Sequence, residues 1–187
     1  MIPSEKEALE IHVRRGSSQL IIQHCNAVAK VSRILAEAMV KGVSVNVKAV
    51  LAGALLHDIG RTKVQTVRHG YEGYRILKES GVDDLVSEIV KRHVGAGLSR
   101  EEAKSVGLPP GDYTPMTVEE QIVCFADKMV DVTEVRPFAE EVRRFVRKGH
   151  DVDRLQNLKL GLQRLLGEDP EAVIFHKIKE ESTNAGP

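Results

Sequence analysis

Six residues carry most of the chemistry legible in this sequence: His24, His57, Asp58, His69, His93 and Asp127. Each falls at helical spacing from apolar neighbours. His24 shares a face with Leu20, Val28 and Val31, His69 with Gly73, Ile76 and Leu77, and His93 with Val86, Ile89 and Val90. Asp127 lines up with Val123 and Val130, and His57-Asp58 end the most apolar helix of the chain. Burying a polar or ionisable group costs several kcal/mol, roughly, unless it is paired or coordinates a metal. One such residue would read as an ordinary core histidine held by a hydrogen bond. Six together, only His and Asp, point to a shared divalent-metal centre that satisfies them all. The adjacent pair His57-Asp58 can serve one ion or bridge two.

Those residues need helices to position them, and the pattern supplies helix after helix. Ser4 with Glu7, Ser99 with Glu102 and Thr117 with Glu120 are capping boxes. Ser17 or Ser18, Asn46, Asp83, Asp151 and Asp169 read as further N-caps, and Gly16, Gly42, Gly81, Gly107 and Gly149 as stops. The stretch from Asn46 to Leu56 is apolar on most sides, which places it at the centre of the fold. The helix holding Asp127 is expected to run to about Val132, and the tail from Ser182 to fray. No sustained alternation, repeat or low-complexity segment occurs. The expectation is all-α: a single-domain helical bundle over 1–187, with the metal site in its core.

The order His24, 32 residues, His57-Asp58, 68 residues, Asp127 resembles the H…HD…D signature of the HD phosphohydrolase superfamily. His57-Asp58-Ile59-Gly60-Arg61 resembles its HDIG subgroup. His69 with Gly73, and then His93, resemble the further histidines of the HD-GYP enzymes and of HD-type diadenosine-tetraphosphate hydrolases. The Gly-Tyr-Pro triplet of the former is absent; Gly73-Tyr74 is not that motif. The resemblance covers about 23–131, leaving 136–181 as a helical extension.

The resemblance implies a helical HD domain that hydrolyses a phosphoester or phosphoanhydride of a nucleotide or related small molecule through metal-activated water. In that reading His24, His57, Asp58 and Asp127 hold one ion, and Asp58 bridges to a second held by His69 and His93. Mixed imidazole and carboxylate ligation suits Mn, Fe, Co, Ni or Zn better than Mg. Asp58 and Arg61 are the expected catalytic residues. Arg61, Lys63, Arg92 and Lys128 are candidates to bind substrate phosphate, although Arg92 and Lys128 sit beside ligands and helix neighbours diverge by about 100°. The Pro-rich loop Leu108–Pro115 is placed to shape access. The alternative is a non-catalytic nucleotide-binding or regulatory HD module.

Composition bounds this reading. The 187 residues carry 27 Lys plus Arg against 27 Asp plus Glu, so net charge is zero with the seven His neutral. A dedicated binder of extended nucleic acid usually shows a basic excess, so the expected partner is a small phosphorylated molecule. The longest apolar run, Ala49–Leu56, is too short to span a bilayer. The N-terminus has no apolar h-region. Cys25 and Cys124 are far apart, and reduced thiols in a cytoplasmic protein are expected, with a disulfide as the open alternative. His12, His150 and His176 are expected on solvated faces or helix ends. The basic run Arg143, Arg144, Arg147, Lys148 reads as an amphipathic helix face, with a partner surface as the lesser reading. The sequence leaves oligomeric state open.

Overall fold

A computed structural model describes residues 1–184. Ten helices follow in order: α1 (Glu5–Arg15), α2 (Gln19–Glu37), α3 (Val47–Leu56), α4 (His69–Glu79), α5 (Asp84–Arg92), α6 (Arg100–Ser105), α7 (Val118–Met129), α8 (Phe138–Lys148), α9 (Val152–Leu166) and α10 (Pro170–Asn184). A 3-10 turn, Ile59–Thr62, links α3 to α4. The fold is all-α apart from one small hairpin, β1 (Val130–Asp131) antiparallel to β2 (Glu134–Val135).

Local chemistry sets the boundaries. All three capping boxes form. Gly16, Gly149 and Gly167 close their helices in the left-handed conformation, which glycine adopts without a Cβ clash. α3 is buried at the centre, packed against α1, α2, α5 and α7. Its apolar content and small residues (Ala49, Ala52, Gly53, Ala54) let those four neighbours approach it. The closest approach is at Gly60. A Cβ there would overlap the His69 carbonyl oxygen and lie 2.5 Å from the Gly73 amide nitrogen. Glycine at 60 and at 73 thus lets the turn after His57-Asp58 seat directly on α4. No described helix is long and apolar enough to cross a membrane.

Four expectations are corrected. α7 ends at Met129, and the residues expected to prolong it form the hairpin. The chain stays helical to Asn184, with Ser182 and Thr183 hydroxyls donating to carbonyls one turn back; residues 185–187 lie outside the described range. His12 is buried, between the Ser17 hydroxyl and the Leu55 carbonyl oxygen, each 2.7 Å away. Leu20 is 57% exposed instead of core, because it sits in the first turn of α2 beyond the packed face.

Candidate metal centre

All six residues converge. His24 comes from α2 and Asp127 from the last turn of α7. His57 caps the C-terminus of α3, Asp58 opens the 3-10 turn, His69 begins α4, and His93 caps the C-terminus of α5. Three helix C-termini therefore meet here, and the partial negative charge of their free carbonyls favours a cation. The four imidazoles form a chain of neighbours: His24–His57 ring centres are 5.1 Å apart, His57–His93 4.9 Å and His93–His69 5.0 Å.

The hydrogen bonds say what these rings are set up to do. Each Nδ1–H donates to a backbone carbonyl: His24 to Val132 at 2.8 Å, His57 to Ala54 at 2.8 Å, His69 to Thr66 at 2.7 Å and His93 to Val90 at 2.7 Å. A carbonyl cannot donate, so this contact keeps a proton on each Nδ1 and leaves each Nε2 as the atom that takes a second proton or a metal ion. All four Nε2 atoms face inward. His24 Nε2 is 3.1 Å, and His57 Nε2 3.5 Å, from Asp127 Oδ1. His69 Nε2 is 3.2 Å, and His93 Nε2 3.6 Å, from Asp58 Oδ1. His69 Nε2 and His93 Nε2 are 3.0 Å apart; two lone pairs at that distance repel unless a proton or cation lies between them. His57 Nε2 and Asp58 Oδ1 are buried with no hydrogen-bond partner at all. Orphaned buried acceptors are rare and costly. A divalent ion fits this donor set, with the backbone-anchored imidazoles typical of metal-ligating histidines. The ligand atoms group as two overlapping triads sharing His57: His24, His57, Asp127 and His57, Asp58, His93.

Charge in the cluster follows the same logic. Burial would raise the Asp58 carboxyl, but the positive charge of neighbouring His57, with the imidazoles of His69 and His93 facing it, holds it well below the usual carboxylate range. Burial raises Asp127 too; Lys128 and the two nearest histidines reverse this and hold it low. Both are therefore anionic at neutral pH. Burial pushes His93 down to about 4, so its Nε2 is free of protons. His24 and His57 are raised: burial lowers each, and nearby anions outweigh it, Asp127 for His24 and Cys25 with Asp58 for His57. Cys25 and Cys124 are free and buried. Cys124 packs beneath the His93 and Gly95 carbonyls, and burial lifts its thiol to about 12.

The HD domain family model matches residues 21–130, the span that supplies every one of these six side chains. The chain belongs to the HD domain family. The HD domain of the L. monocytogenes phosphodiesterase PgpH superposes with a TM-score of 0.51 at 16% identity, covering 86% of this chain and 95% of that one. An uncharacterized protein of Methanocaldococcus jannaschii is 41% identical over 144 residues, 76% of this chain and 85% of its own. Two proteins named tRNA (cytidine(56)-2'-O)-methyltransferase also match. That of Thermoplasma volcanium is 37% identical over 175 residues and that of Picrophilus torridus 38% over 174, each covering 92% of this chain. This chain spans about half the length of those two, 51% and 50%.

Around the HD centre, the cations sort differently from the sequence expectation. Arg61 is there: its Nε donates to Asp58 Oδ2 at 2.6 Å, which leaves Oδ1 facing the histidines. Lys128 is there too, with Nζ 2.5 Å from Asp127 Oδ2; a flexible stem overcomes the angle between helix neighbours. Lys63 is exposed and lines neither cavity at the centre. Arg92 is spent on structure. It pairs with Glu88 at 2.8 Å and with buried Glu120 at 3.2 Å, and Glu120 also accepts from the Met116 and Thr117 amides. Neither Lys63 nor Arg92 is thus placed to meet a phosphate.

Two cavities open on the HD centre. One of about 430 Å3 holds His24, Asp58 and Asp127, with Leu20 and Val132 at its rim. The other, about 280 Å3, reaches His69 and His93. Both are walled by Arg61, Gln65, Lys128, Glu141 and Arg144. Gln65, a neutral residue between the 3-10 turn and α4, was missed in the sequence, and so were Glu141 and Arg144, because nothing there ties α8 to a site so far upstream. The Pro-rich loop lines neither cavity. It packs instead through Leu108 and Tyr113 on Ala103 of α6. A larger cavity, about 620 Å3, lies between α1 and the Gly81 turn and contains none of the six residues.

The hairpin also serves the HD centre. Val132 sits in its two-residue turn at φ 55, a left-handed conformation usual for glycine and strained for a β-branched residue. Its carbonyl is the acceptor that orients His24. Val132→Gly is expected to hold or raise the melting temperature, since it relieves about 1 kcal/mol of strain. It should weaken metal affinity several-fold, because His24 loses a rigid anchor. Thermal melts beside metal titrations check both; a lower melting temperature would show that valine is not strained there.

Proposed function

We propose that this HD domain is a divalent-metal-dependent phosphohydrolase, acting on a phosphoester or phosphoanhydride of a nucleotide or related small molecule. The observation that carries the reading is the convergence of four Nε2 atoms on two anionic carboxylates, with His57 Nε2 and Asp58 Oδ1 left unpaired. In this reading His24, His57, Asp58 and Asp127 hold one ion, and Asp58 with His69 and His93 a second. Mn, Fe, Co, Ni or Zn suits the ligands better than Mg. A bound divalent ion supplies an acidified water and offsets charge on the phosphoryl oxygens. Arg61 fixes Asp58 through Nε and keeps its remaining N–H groups for a phosphate oxygen. Lys128 balances Asp127 at the cavity floor and offers a second cation. Buried free thiols suit a cytoplasmic setting.

The two tRNA methyltransferase relatives favour a second reading, a non-catalytic or regulatory HD module serving RNA modification. Their named activity belongs to proteins about twice as long. The presence of all six His and Asp residues in one cluster favours the enzyme. The test is a screen of nucleoside mono-, di-, poly- and cyclic phosphates with Mn, Co, Ni and Mg. Turnover that Asp58→Ala abolishes is expected. A folded, metal-loaded protein that turns over none of them, yet binds tRNA, would establish the second reading.

Acidity supplies a further check. His24 and His57 hold protons more tightly than free imidazole and must release them to ligate, whereas His93 is already neutral. Apparent metal affinity should therefore fall as pH falls, by about tenfold or more from about pH 8 to about pH 6. Calorimetry in buffers of different ionisation heat should show proton release on binding. A flat profile would remove these two histidines from the ligand set.

A further inference from the structure

α8 lies beyond the HD family match and is the amphipathic helix expected, with Arg143, Arg144, Arg147 and Lys148 on its exposed face. Its buried stripe is Phe138, Glu141 and Phe145. Arg143 and Arg147, one turn apart, line a pocket of about 250 Å3 between α8 and the hairpin, together with Lys128, Arg136 and Arg144. Lys128 and Arg144 are also walls of the cavity holding His24, Asp58 and Asp127, so the two spaces adjoin across them.

Five cations in this pocket face three carboxylates, Asp131, Glu140 and Glu141. Three of the cations are engaged: Lys128 with Asp127 at 2.5 Å, Arg136 with Glu134 at 2.5 Å and Arg144 with Glu141 at 3.5 Å. Arg143 and Arg147 have no ion-pair partner among the described residues. A chain of zero net charge thus concentrates two unpaired guanidiniums one pocket away from its metal centre. Guanidinium groups on adjoining turns suit the planar, multidentate recognition of a phosphate.

We propose that this α8 pocket is a second phosphate subsite, so that the ligand is a nucleotide carrying two phosphates, one at the HD centre and one on Arg143 and Arg147. The proposal rests on the phosphohydrolase reading for the first phosphate only. The second phosphate can belong to a free nucleoside bisphosphate or to the next unit of an RNA end.

Binding, not turnover, is the test. The Mn-loaded full chain is titrated calorimetrically with uridine 5′-monophosphate, uridine 3′,5′-bisphosphate and a 5′-phosphorylated tetraribonucleotide. The bisphosphate should bind about tenfold or more tightly than the monophosphate. The double variant Arg143→Gln/Arg147→Gln should erase that preference and leave monophosphate affinity unchanged. Both side chains are exposed and glutamine is a good helix former, so the fold should persist. Glu140→Gln, which removes a facing carboxylate, should strengthen the preference. Equal affinities in the wild type, or a preference that survives the double variant, overturn the subsite. A tetranucleotide bound tighter still marks an RNA end as the source, and equal binding marks the small nucleotide. A preference without turnover refutes the phosphohydrolase reading and leaves the subsite standing; turnover without a preference does the reverse.

Discussion

Asp58→Asn should abolish turnover by more than about a thousandfold and remove the thermal stabilisation that divalent metal confers, while the metal-free protein keeps its fold. Asp58 is the hub of the centre. One oxygen accepts from Arg61 at 2.6 Å, and the other faces His69 and His93 with no hydrogen-bond partner of its own. Asparagine keeps the shape and an acceptor for Arg61 but loses the charge that offsets a cation. Metal at about a hundred times its dissociation constant stabilises a site by about 2.7 kcal/mol. For a chain of this size that is a rise of about 5 to 11 °C. Wild type should show the rise with Mn, and Asp58→Asn should not. In the phosphohydrolase reading such groups act as a unit, so loss of one removes most of the catalysis. An unchanged metal-induced shift in the variant would show that Asp58 is not a ligand.

Gly60→Ala should be the most disruptive glycine-to-alanine change among the described residues. Its Cβ would overlap the His69 carbonyl oxygen and come within 2.5 Å of the Gly73 amide nitrogen. Both obstacles are backbone, so no side chain can swing away. α4 would have to shift bodily and carry His69 off the centre. Overpacking of this kind costs about 3 kcal/mol or more, a fall of about 6 to 12 °C in melting temperature. Gly73→Ala gives the contrast: its nearest obstacle is a Val90 methyl at 2.7 Å, which can rotate, so the loss should be smaller. Thermal melts of the two variants decide it. Wild-type stability in Gly60→Ala would show that the turn does not seat on α4 as described.

The fold and the six-residue centre were legible because their signals are local. Capping boxes need residues three apart, and a histidine on an apolar stripe declares itself within one helix. What was not legible depends on packing between distant segments. Nothing in the sequence ties Glu141 or Arg144 to His24, because they share a cavity only once α8 packs against α7. Arg92 looked free until Glu120, 28 residues later, proved to be its partner. Lys128 stood as a candidate against an objection from helix angle, and its long stem does fold back onto Asp127. The hairpin was hidden because each of its strands is only two residues long, too short to show alternation, and its turn takes a conformation that valine rarely adopts.

The central claim is that the HD centre holds divalent metal, and metal content per folded chain tests it most directly. Protein purified without chelator, loaded with Mn and freed of excess by gel filtration, is assayed by elemental analysis beside Asp58→Asn. The account predicts one or two ions per wild-type chain and close to none in the variant. A folded wild-type chain that retains no metal, or a variant that retains as much, would contradict it.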